Sequence, residues 1–397
     1  MTKIRTALAA LACATVVLAA CGDDDKSSDT TTAATTAETA ATGDTTATGD
    51  TAAAGDDAGI AAAQANVDAH MEWDGVLGVT IPLTSVPEKK TFGWMECDVP
   101  TCAAYETPGF KAATEALGWD LQIFPMQSAD PGPGIQAAID AGVDYIAFSG
   151  ISAAQIEPQI EAAKEKGIPF VTCYSTDTPD PETNNVYSNC GDNSFVEVTG
   201  PLMADWAIVD SQGAANILIV SIPDFAVLKA ETDAYIARLK ENCANCKYTE
   251  LNVTLDDLIG GKVPAAVASA VQADSSINYV FNSFGDLPGG VTAALNDAGL
   301  GGGITVYGQD FSTIDLQEIV DGTMKAWSTD PKGYAAWLMV DAAARLSVGM
   351  ELTEEREAAK LPTIIIDTPE KAQPIIDAGG DWMPPGAEDA FKALWGV

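Results

Sequence analysis

From Thr91 onward, short apolar runs alternate with helical patterns, and this alternation limits the folds open to the chain more than any other feature. Runs such as Thr91-Phe-Gly-Trp-Met-Glu-Cys97, Tyr145-Ile-Ala-Phe-Ser149 and Phe170-Val-Thr-Cys-Tyr174 are nearly continuous in apolar side chains. That is the pattern of strands buried on both faces of a parallel sheet. Helices are predicted between them at Tyr105 to Leu117, at Ile135 to Ala141 and from Glu157, where Pro158 falls in the tolerated first turn and Gly167 is the stop. A second series follows the same scheme, with strands predicted at Asn216 to Ser221, Tyr248 to Thr254, Tyr279 to Asn282 and Ile304 to Gly308. Two similar βα series predict an α/β fold of two similar lobes. The last predicted elements are a short helix (Leu316 to Val320), a strand (Met324 to Ser328), a long helix (Gly333 to Val348) and a β-rich stretch (Pro362 to Asp367). Their order suits a chain that passes between lobes more than once.

The first 59 residues read differently. Lys3 and Arg5 precede an apolar run, Thr6 to Ala20, and the small residues of Leu18-Ala-Ala-Cys21, which together have the parts of a secretion signal. The run is shorter than the roughly 20 residues of a membrane span. It resembles a bacterial lipoprotein signal, and the resemblance implies cleavage after Ala20, acylation of the Cys21 thiol, and residence outside the cytoplasm on a membrane lipid. From Gly22 to Gly59 there is no aromatic residue and no Val, Ile or Leu, so the segment is expected to be a disordered tether. About 335 residues remain, enough for two cores.

Formal net charge is −37, from 57 acidic and 20 basic side chains. Such a surface repels nucleic acid and is expected as a solvated acidic shell. Beyond Cys13 and Cys21 the cysteines are Cys97, Cys102, Cys173, Cys190, Cys243 and Cys246. Sequence leaves their connectivity open, although neighbours that bracket one loop are the expected pairs in an oxidising compartment. Zinc at Cys243-Ala-Asn-Cys246 would need partners that a chain with a single histidine does not offer. That histidine, His70, precedes the first predicted strand, so Ser-His-Asp or Cys-His catalysis has no base among the candidate site residues. Gly132-Pro-Gly134 follows an Asp-Pro loop and reads as a helix start, not a dinucleotide fingerprint. No cofactor or metal is expected.

Ile151 to Tyr174, with Ala163-Lys-Glu-Lys-Gly-Ile-Pro-Phe-Val171 at the end of its helix, and Gly308-Gln-Asp310 followed by Gly322 and Gly349, resemble the ribose- and galactose-type periplasmic binding proteins of sugar importers. The resemblance runs from Thr91 to Met350. It implies a type 1 periplasmic binding fold: two flavodoxin-like (Rossmann-like) lobes with parallel sheets, hinged by three crossings. Residues 60–192 and 331–350 would form the N-terminal lobe, and 193–330 and 351–397 the C-terminal lobe and tail. Ligand would lie at the carboxyl ends of the strands. Carried over one position at a time, the ligand set would include Glu96, Tyr174, Ser175, Asp192, Asn193, Glu231, Phe284, Asp310 and Asp330. Tyr105 or Trp94 would stand in for loop aromatics that Cys102 and Ala103 replace, and both of the family's pocket arginines are missing.

A sugar needs carboxylates for its hydroxyls and aromatic faces for its ring, so Phe225 joins the candidates. Several acids without an arginine would leave unpaired charge in a closed pocket. That consideration raises an alternative cationic ligand, such as an amino sugar, a quaternary amine or a polyamine. The expected role is a monomeric, non-enzymatic solute-binding lipoprotein that delivers a sugar or polyol to an ABC permease. Presentation of the ligand to a chemoreceptor or kinase is the other reading.

Overall fold

Residues 50–191, 193–353 and 360–397 are described by the computed structural model of the chain. The signal segment, Cys21 and Asp192 lie outside these residues.

Strands β1 (Thr91–Glu96), β2 (Asp120–Pro125), β3 (Tyr145–Ser149), β4 (Phe170–Cys173) and β5 (Val186–Cys190) form one parallel sheet in the order β2-β1-β3-β4-β5. The connecting helices α2 (Thr107–Leu117), α3 (Gly132–Ala141) and α4 (Glu157–Lys166) each stop at a left-handed glycine: Gly118, Gly142 and Gly167. No side chain opposes that conformation.

The second sheet contains β6 (Asn216–Ser221), β7 (Lys247–Asn252), β8 (Tyr279–Asn282), β9 (Thr305–Gln309), β10 (Trp327–Ser328) and β11 (Ile365–Ile366), in the order β11-β10-β9-β8-β6-β7. Only β11 runs antiparallel. Without it, the order repeats that of the first sheet, the flavodoxin-like arrangement. The helices of this lobe are α5 (Gly200–Asp210), α6 (Ala226–Asn242), α7 (Leu255–Ile259), α8 (Val263–Ala273), α9 (Val291–Asp297) and α10 (Thr313–Val320).

The chain joins the two sheets at three crossings: after β5, after β10 and after α11 (Lys332–Ser347). Helix α11 belongs to the first lobe, where it packs on α2, β4 and β5. Its fit there requires glycine, since a Cβ on Gly109 would lie 2.8 Å from the Cα of Gly333.

The termini depart from expectation. Residues 50–59, assigned to the tether, begin α1 (Asp50–Ala69). Four alanines favour helix there against two glycines, a threonine and three aspartates, and Gly59 lets the segment pack closely on the second lobe, where a Cβ would collide with the Asn242 carbonyl. Helix α1 packs on the second lobe, with Ala63 and Val67 in one cluster with Leu202, Met203 and Leu239, although residues 60–70 were assigned to the first. In the C-terminal segment, α12 (Pro369–Asp377) packs on α10. Helix α13 (Ala387–Trp395) instead returns to the first lobe, where Trp395 stacks on Trp337 at 5.2 Å and donates its Nε1–H to Asp341 at 2.8 Å. Aromatic anchors decide its lobe, and their docking surface, α11, is distant in sequence.

Cysteine neighbours are bonded: Cys97 to Cys102, Cys173 to Cys190, and Cys243 to Cys246.

Candidate functional site

Loops at the carboxyl ends of both sheets converge on one enclosed space. After β1, the Cys97–Cys102 disulfide closes a short ring that carries Val99 and Thr101 into the lining. The chain then makes a wide turn over Cys102–Glu106, in which the Thr107 N–H donates to the Cys102 carbonyl five residues back. That extra residue per turn, a π-helical device frequent at functional sites, aims Glu106 inward. The second lobe repeats it at Phe195–Thr199, where the Gly200 N–H donates to the Phe195 carbonyl and Phe195 lines the space.

Ser149 and Gly150 reach it from β3 and Tyr174 from β4; Phe225, Val227 and Leu228 come from the start of α6, Phe284 from β8, Asp310 from β9 and Lys332 from α11. The cavity volume is about 60 Å³, several times what one water needs. Tyr174 (φ 55°) and Asp310 (φ 56°), each directly after a strand, hold left-handed backbone. Such conformations cost energy for large residues and collect where geometry serves function. Gly285 is obligatory for a related reason: a Cβ there would collide with the Asp310 carbonyl.

The electrostatic centre is Lys332. Its buried Nζ lies 3.2 Å from Asp310 Oδ2 and 3.0 Å from Asp330 Oδ2, 4.8 Å from the Tyr174 ring centre and 5.8 Å from that of Phe284. Burial alone would lower the pKa of this amine, but Asp310, Asp330 and Glu106 reverse that and raise it well above the ordinary value. The ammonium therefore stays charged. Burial pushes the Asp310 carboxyl well up, against the pull of Lys332. Burial also pushes Glu106 up to about 7, against Lys332 and the hydroxyl of Ser149, which donates to Glu106 Oε2 at 3.1 Å.

Behind the lining, Gln309 donates to Glu231 Oε2 at 3.3 Å and to the Ser283 carbonyl. Burial, with Asp330 and Asp310 nearby, pushes the Glu231 carboxyl well above its ordinary value, in the direction of the neutral form. Besides the Lys332 pairs, hydrogen bonds join the lobes at the cleft: Thr101 donates to Asp286 Oδ2 at 3.1 Å, and the Tyr105 hydroxyl lies 3.0 Å from Thr313 Oγ1 and accepts from the Thr313 N–H at 2.9 Å.

Of the candidates read from sequence, the structure brings Tyr174, Phe225, Phe284 and Asp310 together in the lining. Asp330 stands beside them through Lys332. Glu231 is wholly buried behind, without lining the space. Glu96 accepts from Thr107 Oγ1 at 2.6 Å and lies off the lining, because the chain turns away after β1. Tyr105 is engaged with Thr313, Ser175 donates to Asp177 at 2.8 Å, and Asn193 is exposed.

Sequence reasoning missed Lys332, Glu106, Thr101, Ser149 and the apolar side chains Val99, Phe195, Val227 and Leu228. It also expected unpaired carboxylates, where the structure supplies an ammonium to two of them. Cys97, Cys102 and Glu106 place one donor atom each within 4.8 Å of one another. The two sulfurs are bonded to each other, so no thiolate is offered to a metal.

Comparison with known proteins gives a consistent picture. Residues 105–351 match the periplasmic binding protein domain family. No curated protein matches the chain. Among solved structures, a 5-methylthioribose transporter solute-binding protein from Thermotoga lettingae, in complex with 5-methylthioribose, superposes with a TM-score of 0.63 at 20% identity, covering 80% of this chain and 99% of that one. An ABC transporter periplasmic solute-binding protein from Actinobacillus succinogenes with bound D-allose gives 0.62 at 15% identity, covering 72% and 99%. A carbohydrate transporter from Acidothermus cellulolyticus in complex with myo-inositol gives 0.60 at 20% identity, covering 74% and 98%.

Proposed function

The chain belongs to the periplasmic binding protein family, and from that premise we propose that it captures a neutral sugar or polyol between its lobes and passes it unchanged to an ABC permease. The observation that carries the choice of a neutral ligand is the place of Lys332. Its single ammonium already occupies the cation position between Asp310 and Asp330 and lies over the rings of Tyr174 and Phe284. A cationic guest would find its carboxylates paired and these aromatic faces taken, so the amine alternative loses the argument that raised it. Glu106, Asp310 and the Ser149 hydroxyl remain to accept hydrogen bonds from ligand hydroxyls. The ligands named for the three similar structures, 5-methylthioribose, D-allose and myo-inositol, are neutral polyols.

Capture works by differential affinity: a guest bound to both lobes favours the closed arrangement in which Thr101 meets Asp286 and Tyr105 meets Thr313. Acylation of Cys21 would hold the protein at the outer face of the membrane, within reach of the permease. Calorimetric titration against neutral pentoses, hexoses and polyols beside a matched set of amines tests the reading, with scattering to follow compaction. Saturable binding of a neutral polyol with a fall in radius of gyration is the expected result. Binding of amines alone, or saturation without compaction, would overturn it.

A further inference from the structure

We infer that the solute carries an apolar substituent beside its hydroxyl groups, as a deoxy, alkyl or alkylthio sugar or polyol does, and that the site prefers it to the fully hydroxylated parent. The inference rests on the neutral-polyol reading and names the substrate class of that same cleft.

Most polar side chains of the lining are already engaged. Lys332 holds Asp310 and Asp330, Ser149 donates to Glu106, Thr101 donates to Asp286, and Ser128 Oγ donates to Asp98 at 2.7 Å. What they leave open suits two or three ligand hydroxyls. Apart from Gly150 and the rings of Tyr174 and Phe284 beside Lys332, the remainder of the wall comprises the Cys97–Cys102 disulfide, Val99, Phe195, Phe225, Val227 and Leu228. None of these side chains forms a strong hydrogen bond.

A hydroxyl pressed against that wall loses its water and gains no partner, which penalises binding. A methyl or methylthio group there gains burial instead, worth roughly fourfold in affinity per carbon. Together the two effects predict a preference of about tenfold or more over the parent compound.

Titration calorimetry on the full chain with matched pairs tests this: D-ribose against 5-methylthio-D-ribose, D-galactose against 6-deoxy-D-galactose, and D-allose against 6-deoxy-D-allose. In at least one pair the substituted member should bind about tenfold tighter. Parents that bind as well as or better than every substituted partner would overturn the inference and leave the polyol reading standing. Failure of all six to bind would overturn both. Leu228→Asn and Val99→Thr, each checked for an unchanged melting profile, should narrow the ratio in the responsive pair by about threefold or more. A ratio unmoved by both variants would remove the apolar wall from the explanation.

Discussion

The two lobes share one strand order but hold their cleft-facing ends by different means. In the first lobe the clamps are covalent: Cys97–Cys102 closes the loop after β1, and Cys173–Cys190 ties the ends of β4 and β5 just before Tyr174. In the second lobe the disulfide Cys243–Cys246 sits between α6 and β7, away from the lining, and the cleft end rests on Gln309, Ser283 and Glu231 beneath Asp310. Covalent clamps fix backbone whatever side chains surround them, so they can support an apolar wall. A buried polar network must satisfy every member, and it suits the side that presents carboxylates. Lys332 joins the two schemes, carried by a helix of the first lobe into acids at the edge of the second.

The largest expected effect follows from breaking that junction. Lys332→Met leaves Asp310 and Asp330 buried without a countercharge and should cost about 3–5 kcal/mol in urea unfolding. The deficit should shrink as pH falls. A buried carboxylate without its cation binds protons more readily folded than unfolded, so acid favours the folded variant. A loss under about 1 kcal/mol would mean that the ammonium does not hold the two lobes' chemistry together.

Next come the clamps. Replacing Cys173 and Cys190 with alanine opens a loop of 17 residues' separation, expected to cost about 3 kcal/mol. The same change at Cys243 and Cys246, three residues apart, should cost about 2. Thermal melts measure both. Ligand affinity should separate them further, because only the first pair precedes a lining residue held at positive φ, Tyr174. Equal losses of affinity would erase the contrast between a clamped and an unclamped cleft end.

Sequence placed the strands well, Asn216–Ser221 and Tyr279–Asn282 to the residue, because a strand buried on both faces writes its environment directly into its composition. Helices α12 and α13 were not legible: Pro369, Pro374, Gly379, Gly380, Pro384, Pro385 and Gly386 punctuate the segment like a tail. Its amphipathic faces acquire meaning only against α10 and α11. Glu106 was hidden by its five-residue turn, which puts the following helix out of phase with a 3.6-residue reading. Lys332 follows Asp330-Pro331 at a helix start, where sequence alone suggests a solvated side chain. Only the tertiary arrangement shows that two acids enclose it.

Protonation gives a smaller effect, again one group per lobe. Burial pushes Glu106 in the first lobe and Asp315, the α10 capping acid, in the second up to about 7. Both folded-state values exceed the unfolded ones, so the stability they contribute is full in acid and is lost as pH rises from about 4.5 through 7. Glu106→Gln should remove on the order of 2 kcal/mol of that decline between pH 5 and 7, leaving the share of Asp315. An unchanged stability profile would place Glu106 in water.

The smallest effect separates two roles for Glu231. The family correspondence makes it a ligand contact, whereas the structure sets it behind Gln309, wholly buried, with its carboxyl pushed well up by burial toward the neutral form. A neutral carboxyl and a carboxamide have nearly the same shape, and the amide oxygen can still accept from Gln309. Glu231→Gln should therefore change stability by less than about 1 kcal/mol and leave affinity within about twofold. Glu231→Ala, which removes the acceptor and opens a void, should cost about 2–3 kcal/mol. A roughly tenfold loss of binding in the glutamine variant with unchanged stability would reverse the assignment. The second lobe would then grip its guest through an ionised Glu231, and the contrast between a neutral support and a charged lining would fail.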